Sequence, residues 1–391
     1  MIRLFLKTGR EVSVRRRHPW LFSGAVARRE GEGSDGWAVV FSAGGERLAT
    51  GAYSPGSQIV ARLWVFGDAP AGPELFGERF DSARSRRASI LRAETTGFRG
   101  VNSEGDLCPG VTLDVYGGTG VLELSTEGTE AWASVLEREA RRAFDLERVI
   151  VRRTGVAHDA GPAREASPPA AAPPGRVAFR ENGLRFFADY GSGQKTGFFL
   201  DQRENRERLR ALASGRRVLN LFSYTGGFSV AALAGGAARA VDVDSSAGAL
   251  ELAAEHRRAN GFDSGPGDFT RADVFEDLRR RVADGESWEA VVCDPPAFAK
   301  KRADVDRAAR GYKDVNRLAM RLVSPGGILL TCSCSGAIDP TLFQQIVFAA
   351  EIESGAAFSL FARQGAGPDH PVSIDCPEGE YLKGMWLVRT R

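Results

Sequence analysis

The residues able to do chemistry gather at three points in the C-terminal half of the chain. "LLTCSCSG", Leu329–Gly336, holds Cys332 and Cys334, two of the chain's five cysteines, separated by one residue. A thiolate at the open end of a strand can add to an electron-poor carbon and later leave. A thiol within an apolar strand is instead a small core residue. "DPPAF", Asp294–Phe298, supplies a carboxylate, and Asp244 and Asp273 close two further apolar stretches. A strand-end carboxylate can accept the hydroxyl protons of a ribose, or it can simply cap the next helix. Three acids at three successive strand ends favour a nucleoside-type ligand over three independent caps. Asp244 is placed for the ribose and Asp273 for an adenine amino group.

"NLFSYTGGFS", Asn220–Ser229, adds a tight turn in which Gly226 and Gly227 let the backbone approach a ligand closely. The G-x-G-x-x-G fingerprint of a pyrophosphate cradle is missing, which argues against a dinucleotide. The cofactor these residues predict is S-adenosylmethionine.

The elements that must position these groups follow from strand–helix alternation after Gly191. Strands are predicted at Arg217–Ser223, Ala238–Asp244, Asp268–Val274, Glu289–Pro296 and Gly326–Cys334, with helices such as Gly248–Asn260 and Asp306–Val323 between them. Such alternation gives a parallel sheet with crossover helices. The tail "AAFSLFARQGAG…EYLKGMWLVRT" adds two strands as an antiparallel hairpin. The fold class is therefore α/β, with a Rossmann-like, seven-stranded, mostly parallel sheet of the class I methyltransferase kind.

Upstream, residues 1–72 read as a small all-β module of short alternating stretches. Residues 73–190 read as a connecting helix (Leu75–Glu94, with Phe80, Ala83, Arg87, Ile90 and Leu91 at helical spacing) and a β-rich α+β middle domain. That domain includes a Gly-Gly hairpin, "GVTLDVYGG" then "GVLELST", and a helix near Glu130–Phe144. The Pro/Ala-rich run Asp159–Gly175 reads as a loop within it, and residues 191–391 form the third domain.

Bulk properties exclude more than they identify. A net charge of +2 names no partner. Residues 1–29 carry Arg3, Lys7, Arg10, Arg15, Arg16, Arg17, Arg28 and Arg29 against Glu11 alone, a local face able to neutralise phosphates. Arginine is abundant throughout, 46 of the 52 basic residues, so the bias is equally a matter of composition. Five cysteines without metal-ligand spacing argue against a disulfide scaffold or a zinc site, and no metal is expected. Trp20 and Phe22 read as core of the first module, and His18 shows no acid partner. No apolar run reaches membrane-span length, the first residues lack a signal-peptide core, and the cytoplasm is the expected compartment.

"SGQKTGFFLDQRENR" (Ser192–Arg206), "LNLFSYTGGFSV", "DPPAF" and "TCSCSG", in this order, resemble the RlmI-type 23S rRNA cytosine-5 methyltransferases. "HPWLFSGAV" (His18–Val26) resembles the opening of that family's PUA RNA-binding domain. The resemblance covers nearly the whole chain. It implies cofactor contacts from Lys195, Thr196, Asp201, Arg203, Phe222, Tyr224, Gly226, Asp244, Asp273 and Asp294, with 23S rRNA or a large-subunit precursor as partner. Asp201 and Arg203 could instead pair with each other. Monomer and homodimer both stay open.

Carbon 5 of cytosine is too weak a nucleophile to attack a methyl sulfonium, and adding a thiolate to carbon 6 makes it an enamine carbon that can. Asp294 suits the N3/N4 edge of such a base. Cys332 and Cys334 face the same side of a strand, so periodicity does not choose between them. Cys334 lies nearer the open end and matches the family's catalytic cysteine. Cys293, Cys108 and Cys376 read as core. Two alternatives remain: a guanine-N7 or adenine-N6 enzyme on the same scaffold, or an rRNA-binding assembly factor with an inactive methyltransferase domain. "TCSCSG" counts against the first, and Phe298, one position late for an N6 enzyme's stacking aromatic, counts against the adenine option.

Overall fold

The computed structural model describes residues 1–33, 36–153, 175–191, 196–299 and 301–391. The chain divides into two compact units, the first made of Met1–Arg180, Ala188–Phe198 and Pro368–Gly379.

In the first unit, β1 (Ile2–Leu6), β2 (Trp20–Phe22), β3 (Val26–Glu30), β4 (Trp37–Phe41), β5 (Arg47–Tyr53) and β6 (Ile59–Phe66) form a sheet ordered β2-β6-β5-β4-β1-β3. Period-two alternation puts Ile2, Leu4 and Leu6 of β1 into a core with Val40 and Leu63. Phe22 departs from expectation: it is 50% exposed, while Trp20 is half-buried and donates from Nε1 to Glu104 at 2.8 Å. The strand ends there, and Phe22 falls on the outward side of the alternation.

The same unit holds β7 (Gly97–Asn102), β8 (Val111–Tyr116), β9 (Thr119–Leu124) and β10 (Arg148–Arg153), in the order β10-β9-β8-β7. The β8–β9 hairpin turns at Gly117, whose φ of +58° is the left-handed geometry such a turn needs. The helix Glu74–Ile90 buries Phe76, Phe80 and Ala83 against this sheet. Its Arg87 is buried by forking onto both oxygens of Asp106 at 2.6 Å, whereas Ile90 is 42% exposed. The middle helix is split into Glu127–Glu130 and Ala133–Ala143. Of the Pro/Ala-rich run, all but Gly175 lies outside the described residues. After it come β11 (Arg176–Glu181) and β12 (Leu184–Asp189), a two-stranded hairpin.

The second unit comprises Glu181–Phe187, Phe199–Gly367 and Glu380–Arg391. Its sheet holds β13 (Arg217–Leu221), β14 (Arg239–Asp244), β15 (Phe269–Arg271), β16 (Trp288–Cys293), β17 (Val323–Ser333), β18 (Phe358–Gln364) and β19 (Lys383–Arg389), ordered β15-β14-β13-β16-β17-β19-β18. The first five run parallel, and β19 enters antiparallel between β17 and β18. This is the expected seven-stranded Rossmann-like sheet. Apolar β-branched strands are buried on both faces: Val241, Val243, Val291 and Leu329 meet the helices Val274–Ala283, Val305–Leu322 and Pro340–Ser354. Val218, Ala240, Val292, Leu330 and Trp386 face the other way. The strand expected over Asp268–Val274 contracts to Phe269–Arg271, because Asp273 already caps the following helix.

Strand order reverses at β13, with β14 and β15 on one side and β16 and β17 on the other. Open α/β sheets bind ligands in the crevice beyond the C-terminal strand ends at such a switch point. Among the described residues, no helix is long and apolar enough to cross a membrane.

Candidate active site

The turn after β13 is built on a buried polar cluster. Asp242 on β14 accepts from Asn220 Nδ2 (2.8 Å) and Ser229 Oγ (2.6 Å) on one oxygen and from Arg257 Nη2 (2.7 Å) on the other. Both ends of "NLFSYTGGFS" are thereby tied to the neighbouring strand. Between them Phe222 and Tyr224 adopt φ of +56° and +47°, and Gly226 adopts +72°. Left-handed geometry is costly for residues with bulky side chains, about 1–3 kcal/mol each, and it gathers at functional turns. A Cβ on Gly226 would lie 2.8 Å from that of Ala253. His256 holds the turn from below, its Nδ1 against Thr225 O at 2.8 Å and its Nε2 accepting from Phe187 N at 2.9 Å.

The three predicted acids flank this turn with different degrees of engagement. Asp244 is half-buried and accepts from Tyr224 N (2.8 Å) and Ser246 N (2.9 Å), one bond per oxygen. Each oxygen keeps a lone pair, so a diol can still be bound. Asp273 is exposed and one of its oxygens caps the next helix at Glu276 N, 3.1 Å away. The competing cap reading therefore holds for half of that carboxylate.

Asp294, directly after β16, accepts from Gln202 Nε2 at 2.9 Å. Gln202 in turn accepts from Asn205 Nδ2 at 2.6 Å, and Asn205 accepts from Trp386 Nε1 at 2.9 Å. An indole N–H can only donate, so it fixes the orientation of both amides and delivers a donor to Asp294. Nothing in the spacing of Gln202, Asn205 and Trp386 signals this chain, which sequence reasoning missed.

The two thiols are distinguished by burial. Cys332 is fully buried in the core with Leu330 and Trp386, and burial, then the neighbouring Asp294 carboxylate, pushes its pKa well above the ordinary value. Cys334 packs on the same core but is half-buried at the strand's open end, its Sγ 4.0 Å from the carbonyl of Pro295 in "DPP". Cys293 and Cys108 are fully buried, and burial raises both thiols, Cys108 to about 12.

Ser335 ties these segments together. Its hydroxyl accepts from Ala299 N (3.1 Å) and contacts Tyr312 Oη (2.9 Å), while its carbonyl accepts from Lys383 Nζ at 2.7 Å. The turn after Cys334 is thus anchored to the loop after Asp294 and to the start of β19. Phe298 packs on Tyr312 with centroids 4.6 Å apart.

The "QKTGFFLDQR" residues divide between the units. Lys195 lies outside the described residues. Thr196 is buried in the first unit, its hydroxyl donating to Asp114 and 3.0 Å from Tyr116 Oη. In the second unit, Asp201 is buried and accepts from Tyr381 Oη at 2.6 Å, and buried Arg203 contacts Glu204 at 3.4 Å.

On the first unit, several basic residues of the N-terminal cluster are engaged locally: Arg15 with Glu46, Arg3 and Arg28 with Glu30. Arg10 and Arg16 line an open pocket with His18, Phe22 and Ile374. His18 does have an acid partner, Glu378 at 3.4 Å. The His18, Cys376 and Glu378 donor atoms lie within 4.8 Å of one another. Nδ1 of His18 accepts from Trp20 N at 3.1 Å, which puts the ring proton on Nε2 toward Glu378. Burial, then Glu104 and Glu378, pushes the Cys376 thiol up to about 12. The donor set reads as a hydrogen-bonded cluster.

Comparison with known proteins gives the following. Residues 124–375 match the family described as S-adenosylmethionine-dependent methyltransferase, and residues 4–66 match a PUA-like domain. A Serratia proteamaculans protein named ribosomal RNA large subunit methyltransferase I is 40% identical over 390 residues, covering 98% of each chain. Its namesake from Aeromonas salmonicida is 39% identical over 99% of each chain. A solved structure from Streptococcus mutans, assigned as a SAM-dependent methyltransferase, superposes with a TM-score of 0.82 over 99% of this chain and 100% of that one, at 22% identity. Another, a methyltransferase-type fold complexed with SAH, gives 0.83 with the same coverage and identity.

Proposed function

The chain belongs to the S-adenosylmethionine-dependent methyltransferases, in the group of ribosomal RNA large subunit methyltransferase I, and on that premise we propose that it methylates carbon 5 of a cytosine in 23S rRNA through a covalent adduct to Cys334. The enzyme is a methyltransferase and its donor is S-adenosylmethionine. The substrate is large-subunit rRNA, free or in a precursor particle, and the reaction is placed in the cytoplasm.

The residues at the switch point fit this donor. Asp244 keeps acceptor capacity on both oxygens for a ribose diol, and Asp273 keeps one oxygen for an adenine amino group. The left-handed turn Phe222–Gly226 brings backbone close to the crevice without a Cβ at its last position. The donor supplies an electrophilic methyl group.

One observation carries the cytosine reading. The thiol at the open end of β17 lies beside the "DPP" carbonyl and is accessible, while its neighbour two residues back is sealed in the core. The Cys334 thiolate adds to carbon 6, forming a C–S bond and placing an electron pair on the N3 side of the ring. Asp294, held as an acceptor by Gln202, receives the N4 amino group and orients that edge. Carbon 5 then uses that electron pair to bond the methyl group, whose bond to the donor sulfur breaks so that S-adenosylhomocysteine leaves. A base then takes the carbon 5 proton, and the pair freed from that C–H bond re-forms the carbon 5–carbon 6 double bond and expels the thiolate. The base must first leave its stack. Phe298 is occupied by Tyr312, which counts against an adenine-N6 reading in which it would stack on the target.

The test is nucleoside analysis of 23S rRNA after incubation with labelled donor. Label in 5-methylcytidine supports the reading, and label in 7-methylguanosine or N6-methyladenosine rejects it.

A further inference from the structure

The proposed mechanism needs a thiolate at Cys334, yet the thiol meets the carbonyl of Pro295, the residue directly after Asp294. The Asp294 carboxylate already disfavours ionisation of Cys332, and it sits at the end of the adjacent strand. A cation must offset it.

Lys383 is in position. It opens β19 and stands opposite Ser333 in the antiparallel register, one residue before Cys334. Its side chain is buried, and its ammonium reaches past the end of β17 to the carbonyl of Ser335, one residue after Cys334, at 2.7 Å. The ammonium therefore brackets Cys334 from the neighbouring strand. One of its three N–H donors is used by that carbonyl. The chain has 46 arginines and six lysines, so a lysine buried here is notable. An ammonium is a compact point charge that fits beside a sulfur in a packed site, where a guanidinium fork would not.

We propose that Lys383 is the positioning residue that holds Cys334 as a thiolate, through an ammonium–thiolate pair across the β17–β19 end. The inference rests on Cys334 being the nucleophile. Burial lowers the Lys383 pKa, and the charge on Cys334 opposes that fall. Such coupling is reciprocal: an anion that stabilises the ammonium is itself stabilised by it. Other groups facing the pair are Asp294 and Cys332 on the sheet, Tyr312 on the helix Val305–Leu322, and Glu380 and Asp339 on the flanking turns. Glu380 and Asp339 act on Lys383 in the same sense as the thiolate. Buried Tyr312 has its pKa raised, so it stays neutral.

The test is the pH dependence of Cys334 alkylation by iodoacetamide in the full-length protein, read by peptide mass spectrometry without RNA. In the unaltered protein the alkylation midpoint should fall below the ordinary thiol value of about 8.5. K383M should raise the midpoint by about one unit and slow alkylation at pH 7 about tenfold, with K383R in between. Donor binding, read by calorimetry, should be unchanged in K383M and reports its folding. A midpoint at or above the ordinary value in the unaltered protein overturns the proposal whether or not K383M folds. So does an unshifted midpoint in a donor-binding K383M. C334A that still methylates RNA would instead remove the nucleophile reading, an outcome separate from either alkylation result.

Discussion

Gln202 Nε2 donates to Asp294 Oδ2 at 2.9 Å, the last link of a hydrogen-bond chain that begins at the indole of Trp386. The polarity of the chain is set by a group that cannot accept. Asp294 is therefore presented to the crevice as an acceptor with one oxygen already bound.

Trp386→Phe removes the donor and leaves Asn205 Oδ1 buried without it. The cost should be about 1–3 kcal/mol of stability, the penalty for an orphaned buried polar atom. Because Asn205 and Gln202 are then free to flip, kcat should fall more than the donor dissociation constant changes. Calorimetric donor binding alongside single-turnover methylation checks this. Loss of donor binding without loss of kcat would contradict it.

Asp244→Ala removes the proposed ribose acceptor. Donor affinity should drop about tenfold to a hundredfold, the worth of one or two hydrogen bonds to a charged group. An unchanged dissociation constant by calorimetry would reject the ribose assignment.

Asp273 has two separable roles. Asp273→Ala should lower stability by about 1 kcal/mol through loss of the cap and should also weaken donor binding. Asp273→Ser restores a capping oxygen at Glu276 N without the carboxylate. Its melting temperature should recover while the donor dissociation constant stays high. Recovery of both would leave Asp273 as a cap only.

Arg10 and Arg16 are the basic residues lining the open pocket of the PUA-like unit. The double change to Glu should weaken rRNA binding and flatten its dependence on salt, since fewer counterions are then released. Filter binding over a range of salt concentrations measures both. An unaltered slope would place the RNA path elsewhere.

Much of the second unit was legible in the sequence because its signals are local. Five apolar stretches between amphipathic ones specify a parallel sheet, and the acids closing them stand at C-terminal strand ends, the side on which open α/β sheets generally bind ligands. The hairpin at Gly117 was legible for the same reason. What was not legible depends on residues far apart in the chain. Asn205 meets Trp386, and Lys383 meets Ser335, only because β19 threads back between β17 and β18. Arg87 looked like one position of an apolar stripe and is instead a buried charge neutralised by Asp106. Phe22 looked like core because it is aromatic, but β2 ends at that residue and leaves it outside. Periodicity also left Cys332 and Cys334 equivalent, and burial separates them.

The central claim is a covalent bond between Cys334 and carbon 6 of a cytosine. An rRNA fragment carrying 5-fluorocytosine tests it directly, because the fluorine at carbon 5 cannot leave as a proton does and the adduct persists. With S-adenosylmethionine present, the protein should form an RNA adduct stable to denaturing electrophoresis. Peptide mapping should place it on Cys334, and it should be lost in C334A but kept in C332A. An adduct on Cys332, or 5-methylcytidine formed at an undiminished rate by C334A, would contradict the account.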